Sequence, residues 1–228
     1  MNNGKTVRAE IHCPSCDSDI QHNHSLEASD IPPMTNKSRI ILPACSVCGR
    51  GLQLADVCGN IAADRKVLLI TGTTGAGKTA LGQLIERKSS YVFIDGDAIQ
   101  KRVNYFAKKK PNMRVDYYTS TIETMMILCG LGYNVIIGYI INNAEILELF
   151  THPLAEYGIT PTFRVLVPER EVCLSRDLSR ECWTAGATWI DAWYGEMCMF
   201  LLTHPSACID TSNEMLEETF SRHFAKLL

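Results

Sequence analysis

Gly72-Thr73-Thr74-Gly75-Ala76-Gly77-Lys78-Thr79 fits the pattern G-x-x-x-x-G-K-[ST] without a mismatch. Glycines at this spacing let the backbone curl so that amide N–H groups converge on one point. A helix starting there adds the positive end of its dipole. Lys78 is placed to reach β- and γ-phosphates, and Thr79 to hold Mg²⁺ through its hydroxyl. The chemistry implied is the grip on a nucleoside triphosphate with Mg²⁺. The loop alone does not say what the triphosphate is used for.

The next reactive stretch is "YVFIDGDAIQKR", with Asp95 and Asp97 at the end of an apolar run. Residues i and i+2 of a strand point the same way, so both carboxylates are expected to face a crevice at the sheet's C-terminal edge. One would face Mg²⁺ and its waters, the other an acceptor hydroxyl. Phosphoryl transfer needs an oriented acceptor and a group to take its proton. Asp-Gly-Asp is also good turn chemistry. The residues leave open which carboxylate would act.

Cys13, Cys16, Cys45 and Cys48 form two C-x-x-C pairs, the second followed by Gly49. Four thiolates so paired predict a tetrahedral Zn²⁺ site of the ribbon type, closed and therefore structural. Iron and a thiol–disulfide centre are the alternatives. His12, His22 and His24 are spare ligands. The other six cysteines are scattered and read as small core residues. The ribbon holds few basic residues and is expected to pack on its neighbour or help present an acceptor.

These groups need elements to position them. Apolar runs at 67–71, 91–95, 134–141, 162–168 and 207–210 alternate with amphipathic stretches. Continuous apolar strands separated by helices mean βαβ units. The expectation is an α/β fold: a three-layer P-loop NTPase with a five-stranded parallel sheet, over residues 61–228. A small zinc ribbon over residues 1–60 precedes it. Net charge is −3, which argues against coating nucleic acid by bulk charge. No run approaches the roughly 20 apolar residues of a membrane span. The first residues lack the apolar core of a secretory signal. A cytoplasmic protein without membrane contact is expected, its oligomeric state open.

Strand, phosphate loop, helix, strand and Asp-Gly-Asp together resemble the kinases of the nucleoside-monophosphate-kinase fold. These include shikimate, gluconate and adenylylsulfate kinases and the zeta-toxin and polynucleotide-kinase-like P-loop kinases. The resemblance spans roughly residues 66 to 228. It implies transfer of the γ-phosphate of ATP to a hydroxyl of a small metabolite or a nucleic-acid 5′ end. It also implies that Arg176 and Arg180, four apart on one predicted helix face, are lid arginines that close over the triphosphate. Their alternative is a solvated face pairing with Glu169, Glu181 or Asp177. "CIDTSNEMLEETF" resembles the last strand and the loop packing near adenine, though Asp210-Thr211-Ser212 also reads as a helix N-cap. The run at 134–141 lacks the acidic residue that many P-loop enzymes keep there, which counts against a motor ATPase. GTPases of this loop class carry a late Asn-Lys-x-Asp. Here Asn36-Lys37 precedes the loop and lacks the Asp.

The acceptor position of such kinases falls on a basic stretch containing Lys101, Arg102, Lys108, Lys109, Lys110 and Arg114, with Tyr105, Phe106, Tyr117 and Tyr118 interleaved. Basic groups and aromatic faces suit an anionic acceptor, and Arg102 is the leading candidate contact. A solvated helix with buried aromatics is the plainer reading. A different class remains: an ATP-binding sensor whose ribbon docks a partner, with little turnover.

Overall fold

The architecture is seen in a computed structural model that describes residues 5–26, 42–59, 61–101, 117–180 and 184–228. The chain opens with an antiparallel hairpin, β1 (Lys5–Cys13) and β2 (Ser18–Leu26), and a short helix, α1 (Leu54–Cys58). Then β3 (Val67–Gly72) leads through the glycine loop into α2 (Lys78–Lys88). There follow β4 (Val92–Asp95), α3 (Tyr117–Gly130), β5 (Val135–Gly138), α4 (Ala144–Ala155) and β6 (Thr162–Leu166). The chain continues through α5 (Arg170–Leu178), α6 (Ala187–Thr203) and β7 (Cys208–Ile209) to α7 (Leu216–Thr219) and a π-helical turn at Phe220–Phe224.

β3 to β7 form the expected five-stranded parallel sheet, in the order β4-β5-β3-β6-β7. Every residue of β3 and β5 is buried, because helices cover both faces. Successive residues of β3 point to opposite faces. Val67 and Leu69 join one core with Met125 of α3 and Phe150 of α4. Leu68 and Ile70 join the other with Leu81 and Ile85 of α2 and Phe220 and Phe224 of the C-terminal turn. Those are the three layers.

From β3 the chain runs to β4 and β5 on one side, then crosses to β6 and β7 on the other. Crevices in open α/β sheets form at the carboxyl ends of strands where the order reverses so. The glycine loop sits there.

β3 runs one residue past its apolar run, and the other four strands are shorter than theirs. β5 spans four residues, not the expected 134–141, because β4 ends opposite Gly138 and the ladder loses that partner. Ile141 is fixed instead by the Thr71 hydroxyl, which accepts its N–H at 2.8 Å. α5 stops at Leu178, so Arg180 lies beyond the helix and does not share its face with Arg176. The cause is Asp177: fully buried, it accepts N–H bonds from Ala185 (2.8 Å) and Gly186 (3.0 Å) and turns the chain.

Ala9, Ile11, Cys13, Ile20, Cys45, Leu52 and Val57 belong to the same core as one face of the sheet. The N-terminal unit thus adds to the core of the α/β body. α1 closes this contact against α3, with the Val57 carbonyl facing Gly130. A Cβ at Gly130 would lie 2.4 Å from that oxygen. Gly130→Ala is expected to cost about 1–3 kcal/mol and lower Tm by several degrees in a thermal melt. An unchanged Tm would mean that this contact does not bind the two parts.

Candidate active site and cysteine centre

A cleft of roughly 1060 Å³ lies at the carboxyl edge of the sheet, with the loop at its floor. Two glycines shape that floor for different reasons. Gly75 has φ 81°, and a Cβ there would sit 2.2 Å from the Cys173 carbonyl oxygen. Gly77, the N-cap of α2, has φ 100° and open space around it. Its left-handed backbone is what only glycine adopts cheaply. Thr74, Gly75, Ala76, Gly77, Lys78 and Thr79 line the cleft, whereas Gly72 and Thr73 are buried behind it. The Thr73 hydroxyl oxygen has no hydrogen-bond partner among the described residues.

Lys78 is buried on the first turn of α2. Its Nζ donates to the carbonyl oxygens of Gly72 (2.8 Å) and Thr73 (3.0 Å). Among the described residues no carboxylate reaches it within ion-pair distance. Burial pushes its pKa down, opposed first by the charge of Asp97. A buried ammonium whose hydrogen bonds go to carbonyl dipoles is costly, and an anion in the cleft would offset that cost.

Asp95 and Asp97 both line the cleft, but not as two strand residues. Asp95 ends β4 and accepts N–H bonds from Asp97 (3.0 Å) and Ala98 (3.4 Å), capping the helical turn that starts at residue 96. Burial, and then the charge of Asp97, raise its pKa. Asp97 lies on that turn, exposed, its carboxylate free of hydrogen bonds to described residues. The turn reading and the cleft reading are therefore both realised, on different residues.

On the far wall, Arg176 donates to the Thr211 carbonyl oxygen at 2.9 Å. Arg180 pairs with Asp177 at 3.4 Å, one of the three partners anticipated. Both arginines line the cleft. Asp210 accepts from the Ser212 N–H at 2.9 Å and closes a turn; the N-cap of α7 is Met215. Lys101 is on the cleft wall. Arg102 and the rest of the basic stretch to residue 116 lie outside the described residues. Tyr118 packs edge-on to Tyr139 (5.2 Å) and Phe150 (6.1 Å), so it is a core residue.

Among the cleft residues that the sequence reading did not single out, three carry chemistry of interest. Trp189 and Trp193 of α6 lie nearly parallel, centroids 6.3 Å apart. Their spacing of four was a signal that they share a helix face. Glu214 lies in the stretch that resembles the loop packing near adenine, where nothing marked it out from its neighbours. It accepts from Arg222 (3.0 Å) and His223 (3.1 Å) at Oε1.

The second centre is formed by the cysteines. The four Sγ atoms lie within 4.8 Å of one another. Cys13 to Cys48 is 3.8 Å and Cys16 to Cys45 is 3.7 Å. A tetrahedron with Zn–S bonds of about 2.3 Å has S···S edges of about 3.8 Å, so the set fits zinc as the spacing predicts. Burial opposes ionisation of Cys13, but the amides of Ser15 and Cys16 outweigh it and bring the thiol down to about 6. At Cys48 the Arg50 amide favours the thiolate, but burial and the other thiols prevail and push it up to about 11. A central cation removes that mutual repulsion. Elemental analysis is expected to find about one zinc per chain. Cys45→Ser should lose it and lower Tm, because Cys45 also lies in the shared core. A metal-free protein with the same Tm would sink the assignment.

A family model for zeta toxin matches residues 59–182. The tunicamycin resistance protein of Deinococcus radiodurans is similar at 13% identity and TM-score 0.54, over 72% of this chain and 95% of that one. A sugar kinase from Janibacter sp. HTCC2649 is similar at 18% identity and TM-score 0.53, over 69% and 91%. These likenesses bear on the fold. No curated protein matches the chain.

Proposed function

Because this chain belongs to the zeta toxin family, we propose that it is an ATP-dependent phosphotransferase that moves the γ-phosphoryl group to an acceptor hydroxyl. The observation that carries this reading is the buried Lys78 ammonium, unpaired by any described carboxylate, in one cleft with Asp95 and Asp97. A site that only stored ATP would have no use for the second carboxylate.

The roles follow from position. The loop amides of 72–79 cradle the phosphates, and Lys78 turns from the loop carbonyls to the β- and γ-oxygens. Thr79 would hold Mg²⁺ through its hydroxyl, and the ion when bound would supply charge neutralisation to the phosphates. Asp97, free on the cleft wall, accepts the proton of the acceptor hydroxyl as its oxygen bonds to the γ-phosphorus and the bond to the ADP oxygen breaks. Asp95, committed to the cap, holds the turn that presents Asp97. Arg176 and Arg180 stabilise charge on the transferring group. The acceptor is a small metabolite or a nucleic-acid 5′ end, with Arg102 as candidate contact. The zinc unit, residues 1–60, is a scaffold for the kinase body at 61–228 or a selector of acceptor.

The test is transfer of labelled γ-phosphate from Mg²⁺–ATP to 5′-hydroxyl oligonucleotides and to a small-metabolite extract. Lys78→Ala and Asp97→Asn are each expected to lose about a hundredfold or more in transfer rate. Asp97→Asn should retain ATP affinity. ATP binding with no labelled product in either pool would overturn the kinase reading in favour of a nucleotide sensor.

A further inference from the structure

Two indoles in the cleft have no part in gripping phosphate. Trp189 and Trp193 line it and lie beyond the stretch 59–182 that the zeta toxin model matches. Trp189 is 55% exposed. The two rings are nearly parallel, 15° apart in plane, with centroids 6.3 Å apart. Large apolar rings left open in a polar cleft are a surface for a flat ligand to cover.

The packing of α6 fixes which flank they occupy. Met197, one turn after Trp193, joins Val165 and Phe200 in a core against which Ile140 packs. Val165 points to the sheet face opposite that of Leu166, which belongs to the core of α2. Asn142 donates to Glu196. Ile140 and Asn142 follow β5, so this part of α6 stands beyond the end of β5. β5 pairs with β4, which ends at Asp95. The indoles therefore share a flank with Asp97, away from Met215 and Leu216 beyond β7.

Polar groups complete that flank. Lys101 is an exposed cation on the cleft wall. Tyr139 donates to Gln100 Oε1 at 3.2 Å, which leaves the Gln100 amide N–H groups to donate. Flat rings, a cation, amide donors and a carboxylate match the base, phosphate, sugar oxygen and hydroxyl of a nucleotide in a strand. A polyol has no flat ring, and a single base covers a single indole. Two indoles one helical turn apart offer faces to two successive bases.

We propose that Trp189 and Trp193 are the acceptor platform, and that the acceptor is the 5′-hydroxyl end of a single strand whose first two bases stack on them. This rests on the phosphotransferase reading above. The 5′ oxygen gains the γ-phosphoryl group, its proton passes to Asp97, and ADP leaves. Lys101 faces the first phosphate of the strand.

The test reads tryptophan emission from the full chain saturated with Mg²⁺–ADP. A Trp183→Phe background leaves the two cleft indoles as the only reporters, since the chain has three tryptophans. 5′-Hydroxyl trithymidylate is expected to quench the emission saturably. Thymidine 3′-phosphate should bind about five- to a hundredfold more weakly, and methyl glucoside should leave the emission unchanged. By calorimetry, Trp189→Ala should weaken trithymidylate binding about five- to a hundredfold. Trp189→Phe, which keeps a ring, should lose less. Circular dichroism checks that both variants fold, and if they do not, the quenching series decides. Quenching by methyl glucoside but not by trithymidylate would overturn the inference. So would equal binding of the mononucleotide, or unchanged affinity in folded Trp189→Ala. Phosphate transfer to a metabolite without strand binding would overturn it and leave the phosphotransferase reading standing. Strand binding without any transfer would overturn that reading, leaving the platform as a binding site only.

Discussion

A positive charge held in a buried place, with backbone carbonyls as its only described hydrogen-bond partners, is the constraint around which this molecule is organised. Lys78 reaches its position because α2 begins immediately after Gly77, whose left-handed backbone aims the helix start into the cleft. The helix is held there by Leu81, Leu84 and Ile85 against one face of the sheet. The loop is packed from behind by Cys173 of α5, close enough that Gly75 cannot carry a side chain. Each packing decision around the loop preserves a small basin of positive potential, the physical requirement for gripping phosphate.

The sheet converts that basin into a directional site. Its order places Asp95 and Asp97 on one flank of β3 and the arginines and the carboxyl-terminal wall on the other. A linear anion lying across the loop then has distinct ends. Asp177 contributes to this asymmetry at a distance: by ending α5 and turning the chain, it brings Arg180 to the cleft rim and starts α6 where Trp189 and Trp193 reach the wall. The cysteine centre supports the opposite face. Its hairpin and α1 share a core with α3 and the sheet, so the cysteine unit and the α/β body support one another through apolar contact.

Several features were legible from residues alone because their chemistry is local. The phosphate loop is eight consecutive residues, and each knuckle is four. In both, the backbone conformation and the reactive atoms lie within one short segment, so spacing determines geometry. The parallel sheet was legible for a related reason: strands covered on both faces must be apolar throughout. The expected β5 was too long because a ladder ends where its partner ends, and one of its two partners is β4, distant in sequence. Asp95 and Asp97 were read as strand neighbours. Asp95 instead starts a helical turn by capping it, a choice made by one side-chain hydrogen-bond pattern.

The sequence by itself determined that Gly72–Thr79 carry the full phosphate-loop pattern, that Cys13, Cys16, Cys45 and Cys48 have the spacing of a four-thiolate metal site, and that the chain builds a parallel sheet. Only the tertiary structure decided that Lys78 has no described ion-pair partner, and that Glu214 meets Arg222 and His223 beside the cleft. It also decided that Trp189 and Trp193 face the same cleft, and that the cysteine unit shares a core with the sheet. The reason is physical. Burial and the pairing of charges are set by residues far apart in the chain, which meet only when the sheet order is established.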